Sequence, residues 1–245
     1  GTPAATAEPT PDPSAEATAA EDARDAAEAA ADAALRAGTA QGAAPYWYTR
    51  VEATYDGPTE TAETWSSTER PGLLAWDGDY TPSSLAAMGP KDVLGSFVID
   101  GEPVEMLRDP AVLPTDAAGL AVVLRATVGD GPGADDLVYG RVHDLLLDGG
   151  IRPTALLRAA VEVVESLPGA TTTAGTDSRG RAGTVVEYPL GTGGVARLVV
   201  EPGTWLPLEI AAPGEHRVWV EQGPRDTVPV EPTLEIAGCV AWETC

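Results

Sequence analysis

From Tyr46 onward, apolar and polar positions alternate with a period of two. Across 45–55, opened by Pro45, the residues Trp47, Thr49, Val51, Ala53 and Tyr55 fall on one side, and Tyr46, Tyr48, Arg50, Glu52 and Thr54 on the other. Such alternation marks a half-buried strand, with one face to the core and the other to water or a lining helix. Turn residues at Asp56-Gly57-Pro58, Pro71-Gly72 and Asp77-Gly78-Asp79 set off strands at 61–70 and 73–76, and shorter candidates follow at 93–99 and 103–107. Closely spaced turns of this chemistry predict an antiparallel meander.

The period then changes. Thr115 is placed to cap a helix whose Leu120, Val123, Leu124 and Val128 share one side before Gly129. A second helix over 134–148 turns Leu137, Val138, Val142, Leu145 and Leu146 inward and ends at Gly149-Gly150. A third begins at Pro153, carries Leu156, Ala160, Val163, Val164 and Leu167 on its apolar side, and stops at Pro168-Gly169. Strand signals resume at 183–188, 195–201, 207–211, 215–222 and 227–236. The expected fold class is α+β, a curved antiparallel sheet with helices covering its concave face, formed by a single domain over 45–237 with a helical insertion at 115–167.

The ends read differently. Residues 1–13 are rich in Pro, Thr, Ala and acid, the composition of a disordered linker. An Ala-rich helix is expected over 14–38, with Leu35 as its one large apolar residue and Gly38 as its stop. Residues 238–245 form a tail carrying both cysteines, Cys239 and Cys245.

Composition narrows the possibilities. Hydrophobic residues make up 43% of the 245, but aromatic residues only 5%, so the core must come from Val, Leu and the six Trp. The absence of Asn, with Lys91 and Phe97 the sole Lys and Phe, points to a high-GC bacterial genome and removes N-glycosylation. A formal net charge of −23 repels phosphate backbones and anionic headgroups, which excludes nucleic acid as a partner. In an exported protein the Cys239/Cys245 pair reads as a small disulfide loop; its spacing fits neither C-x-x-C nor the usual zinc patterns. No apolar run approaches the roughly 18 residues of a membrane span, and the chain opens at Gly1, so an anchor upstream is expected.

Chemistry is sparse. His143 and His216 sit outside any metal-binding pattern and read as rim residues. No G-x-S-x-G elbow occurs, and Gly191–Ala196 reads as a hairpin turn rather than a dinucleotide loop. Asp77 and Asp79 fit a turn, and Asp135 and Asp136 a helix N-terminus. No catalytic residue, metal ligand or cofactor is assigned. The candidate ligand-binding residues are Trp47 and Trp219, tryptophans that either line a groove or fill the core. Trp219, flanked on its strand face by Arg217 and Glu221, is expected to be partly exposed.

Several local patterns together resemble a known family. PYWYTR at 45–50 after the Ala-rich helix, LPTD at 113–116, SLPG at 166–169, DSRGRAG at 177–183 and VVEPGTWLPL at 199–208 look like an actinobacterial family of uncharacterised membrane-anchored proteins, often encoded beside extracytoplasmic-function sigma factors. The resemblance spans about residues 26–230. It implies a cytoplasmic segment, one span and an outer domain, the last represented by this chain. By further analogy the outer domain is similar to the half-barrels of lipoprotein carriers and sigma-E regulatory sensors. The expectation is an extracytoplasmic, non-enzymatic sensor or regulatory domain, monomeric, with a protein partner or an envelope lipid or lipoprotein as its ligand. A lipid or lipoprotein carrier is the alternative.

Overall fold

Alternating strands joined by tight turns can satisfy their backbone groups only by pairing with neighbours, and here they pair into one large antiparallel sheet and a separate hairpin. The computed structural model describes residues 39–90, 93–147 and 149–242. The expected linker and Ala-rich helix lie outside these residues, as do Asp148 and Cys245.

Nine strands form the sheet: β1 (Tyr46–Thr54), β2 (Thr59–Ser66), β3 (Gly72–Trp76), β4 (Leu85–Met88), β7 (Thr171–Thr176), β8 (Ala182–Pro189), β9 (Val195–Val200), β10 (Pro207–Ala212) and β11 (Glu215–Arg225). Their spatial order is β4-β3-β2-β1-β11-β10-β9-β8-β7, so the first and last strands among the described residues meet near the centre and the sheet is open at β4 and β7. A separate hairpin comprises β5 (Gly95–Ile99) and β6 (Glu102–Leu107). Between the two runs of strands come the expected helices, α1 (Ala117–Val128), α2 (Ala134–Leu147) and α3 (Thr154–Glu165). A single turn, α4 (Leu234–Ala237), follows the sheet.

The helices sit on one face of the sheet. Helix α3 is the centre of the packing, with Leu156, Leu157, Val161, Val163 and Val164 essentially without solvent contact. They share one apolar core with Val186, Leu198, Val200 and Ile210 of β8–β10, with Trp47 and Trp219, and with Phe97 of the hairpin. On the opposite face a second core lies at the other end of the sheet, where Tyr46, Tyr48, Trp65, Leu73 and Leu85 are packed by Val228, Val230 and Ile236 of the C-terminal run. The first four residues of β1 are therefore buried on both sides.

Several expectations need correction. Residues 227–236 are not a strand: Pro229 and Pro232 lack the N–H that a ladder requires, and the run crosses the sheet instead, ending in α4. That run covers the face of β1 expected to meet water or a lining helix. Helix α1 is capped by Asp116, not Thr115; the Asp116 carboxylate accepts from the Gly119 N–H at 2.8 Å. Leu137 is 55% exposed because the inward stripe of α2 centres on Val138, Val142, Leu145 and Leu146. Strands β4 and β7 had no sequence expectation: β4 is four residues long, and the all-small run TTTAGT of β7 has no apolar alternation to read.

Candidate functional site

The helices do not cover the whole of their face. They stop near the centre of the sheet, and beyond them the same face of β11, β1, β2 and β3 lies open as a trough of about 340 Å³. Its floor follows from strand register. Val51 pairs with Trp219 on one side and with Ala62 on the other, and Ala62 pairs with Trp76, so one cross-sheet row places four apolar side chains on the same face. Thr49 and Thr64 lie toward one end, Met88 comes from β4, and Leu147 at the end of α2 forms the helical wall. Trp76 is 38% and Tyr55 49% exposed, and both contribute to an apolar lining with access to solvent.

Trp219 is at the boundary between trough and core. It is 1% exposed, against the expectation of partial exposure. The physical reason is a bulge: Arg50 pairs with Glu221 but Val51 with Trp219, so Val220 is passed over. Glu221 is thereby turned to the opposite face, where it lies 4.0 Å from Arg50. A strict alternation places Glu221 beside Trp219; the bulge separates them. Trp219 lines the trough as well as the core, while Trp47 is 4% exposed, belongs to the core, and is not among the lining residues. The indole N–H groups of both are buried and meet no acceptor among the described residues.

Gly150 explains why the trough ends at Trp47. A β-carbon at Gly150 would overlap the Trp47 indole, so only glycine lets this turn after α2 close over the ring. The Gly150 carbonyl also accepts from the Gln41 N–H at 2.9 Å, which ties down the chain leading into β1.

At the opposite end of the trough the lining becomes charged. Arg217 and Glu60 pair with Ala53 from either side. The Arg217 guanidinium lies 5.2 Å from the Tyr55 ring centre and donates through Nε to Glu215. Its two terminal nitrogens meet no acceptor among the described residues. His143 reaches the same Glu215, with Nε2 3.5 Å from the carboxylate; its side chain is largely covered and Nε2 is buried, against its reading as a rim residue.

Other polar sites are structural. A hollow of about 440 Å³ beside α2 is lined by Asp135, Asp136, Arg125 and Tyr188. Asp136 accepts from the Tyr188 hydroxyl at 2.9 Å and from the Gly191 N–H, while Asp135 is paired with Arg125, so these groups are already engaged. The expected placements hold: Asp135 and Asp136 lie in the first turn of α2, and the GTGGVA run joins β8 to β9. Asp77 and Asp79 make a turn, accepting from the N–H groups of Thr61 and Thr81 respectively. On the face away from the helices, Asp177 and Glu209 hold down the DSRGRAG loop. Burial pushes the Asp177 carboxyl up, but hydrogen bonds from the Arg181 backbone and side chain, the Arg181 charge and the Arg179 N–H outweigh it and hold it below the ordinary carboxylate range. Glu209 pairs with Arg197 and accepts from the Ser178 N–H at 2.5 Å.

Among the described residues no cluster of three metal-ligating side chains occurs, and no helix is long and apolar enough to cross a membrane. Cys239 is disulfide-bonded. No protein-family model matches the chain, and no curated protein matches it.

Proposed function

We propose that this chain is the extracytoplasmic, non-catalytic sensor or regulatory domain of a membrane-anchored protein, and that the trough is where it receives its ligand. In this reading the nine-stranded sheet is a half-barrel, its concave face filled by helices over β8–β10 and left vacant over β1–β3. The observation that carries the proposal is the trough itself: an apolar recess with exposed aromatic residues, on a face whose β8–β10 end is buried under the helices. Its volume is at the small end of ligand sites, which run from about 300 to 1,000 Å³. A surface that only completed the core would have been covered like the rest.

The same volume argues for sensing over carriage. A carrier of lipoproteins has to shelter several acyl chains, and the space for them is taken by Leu156, Val163 and Val164 of α3. Coupling of ligand to a sigma-factor circuit through a protein partner agrees with the family resemblance.

Two measurements test the reading. Native mass spectrometry after incubation with an envelope lipid extract is expected to find one small amphiphile on the chain and none on Val51→Glu, which puts a charge on the trough floor. Vesicle-to-vesicle lipid transfer is expected to stay at background. A bare protein in the first experiment, or Val51→Glu binding as well as the parent, removes the proposal; brisk transfer in the second replaces sensor by carrier.

A further inference from the structure

Resting on the trough as a ligand site, we infer that its ligand is a single-chain amphiphile with a zwitterionic head, the anionic group received by Arg217 and the ammonium by Glu60. The register places these two residues on either side of Ala53, two strand spacings or about 10 Å apart at the backbone. Both line the trough, and both are at the end away from the Trp47 turn.

Each has capacity to spare. Arg217 is half-buried and spends Nε on Glu215, leaving the two terminal nitrogens as a free fork of the kind that takes a phosphate or carboxylate. Glu60 is exposed and accepts no hydrogen bond from any described residue. Trp76 pairs with Ala62, the next residue on the same face of β2, so its partly exposed ring lies diagonally beside Glu60. A carboxylate next to an indole face is a favourable setting for an ammonium group.

Charge balance selects the zwitterion over either simple ion. The chain carries a net −23, which opposes an anionic amphiphile, and an ammonium alone leaves unused the terminal nitrogens of Arg217, whose Nε is bonded to Glu215. A head that is neutral overall but dipolar pays no such penalty and meets both groups. The tail then runs along Val51, Ala62 and Trp219 toward Thr49 and Thr64, and the volume of about 340 Å³ suits one chain rather than two.

The test uses four probes with the same tail below their micellar concentrations: dodecylphosphocholine, dodecyl phosphate, dodecyltrimethylammonium and dodecanol, each titrated calorimetrically into the chain. Dodecylphosphocholine is expected to bind tightest. Arg217→Gln should weaken it and dodecyl phosphate by about tenfold or more, the usual scale for a lost charge-assisted contact, while dodecyltrimethylammonium and dodecanol hold within about twofold. Glu60→Gln should do the reverse, weakening the two ammonium-bearing probes and sparing dodecyl phosphate. Dodecanol reports whether each variant still folds around its trough. Four equal affinities, or a loss in either variant that ignores head charge, overturn the inference and leave the trough standing; failure of all four probes to bind removes both.

Discussion

The two ends of this sheet carry their larger cores on opposite faces. Over β8–β10 the helices cover one face with Leu156, Val163 and their neighbours, and the other face holds only a small buried cluster of Val185, Val199 and Leu208 beside the DSRGRAG loop on its Asp177 and Glu209 anchors. Over β1–β4 the C-terminal run covers the face away from the helices, packing Val228, Val230 and Ile236 onto Tyr48 and Trp65. The helix-side face there remains as the trough. Where the cover changes sides, at β1 and β11, both faces are buried and the bulge at Val220 turns the side chains. A single sheet can therefore be stable at both ends and still leave one apolar recess, provided each end has its own cover. Stability at the trough end comes from behind it, so its exposed residues are free to serve a ligand.

That division can be broken in order of expected effect. Trp47→Ala, which empties the junction under Gly150, is expected to cost about 3–5 kcal/mol, read as a fall in the urea midpoint. A chain ending at Arg225 loses three partly buried apolar residues from the back of the trough and should lose about 2–4 kcal/mol, with Trp65 becoming accessible to a fluorescence quencher. If this truncation costs nothing, the second cover is not a core. Glu209→Gln should cost about 1–3 kcal/mol, since it leaves the partly exposed Arg197 without its counter-ion, and it should speed proteolysis at Arg179 and Arg181. Trp76→Ala at the open trough should cost under about 1 kcal/mol while abolishing ligand uptake. A large loss of stability there erases the distinction between the two ends.

Alkali acts on the helix-covered end through Tyr139 and Tyr188, and on the other end through Tyr48 and Tyr80, whose hydroxyls are also raised by burial and then by their bonds to Glu63. Burial, then the nearby Glu215, pushes the Tyr139 hydroxyl up to about 12. Tyr188 is raised to about 12 by burial and then by its bond to Asp136. Unfolded tyrosines ionise near pH 10, so the folded chain binds more protons than the unfolded one above that value. Stability is full below pH 10 and falls between about 10 and 12. Denaturant titrations across this range are expected to show the decline, shallower in Tyr188→Phe. Asp177 works at the opposite limit, its contribution present above the ordinary carboxylate pKa and lost as acid protonates it.

Much of the fold was legible along the chain. The period of two in β1 and the stripe Leu156, Ala160, Val163, Val164 fix a strand and a helix because each must bury one side. The turn chemistry at Asp77-Gly78-Asp79 and GTGGVA placed two connections for the same local reason. Of the site, Trp47 and Trp219 were singled out, and Trp47 proved to be core; Trp76 counted only as one of six tryptophans able to line a groove or fill the core, Val51 and Tyr55 were assigned the right face but no role, and Glu60, Ala62 and Met88 carried no signal of their own. Strands β4 and β7 escaped notice because four residues, or a run without large side chains, show no period.

What the sequence determined by itself is, for the longer periodic segments, the preference for helix or strand and which side is apolar, since both depend on neighbours a few residues away. Only the tertiary structure decided which apolar sides would be covered. The extent of the helices, the crossing of the C-terminal run and the bulge opposite Val51 depend on contacts between residues up to about 180 positions apart, and those contacts leave the trough open where no segment of the described chain reaches it.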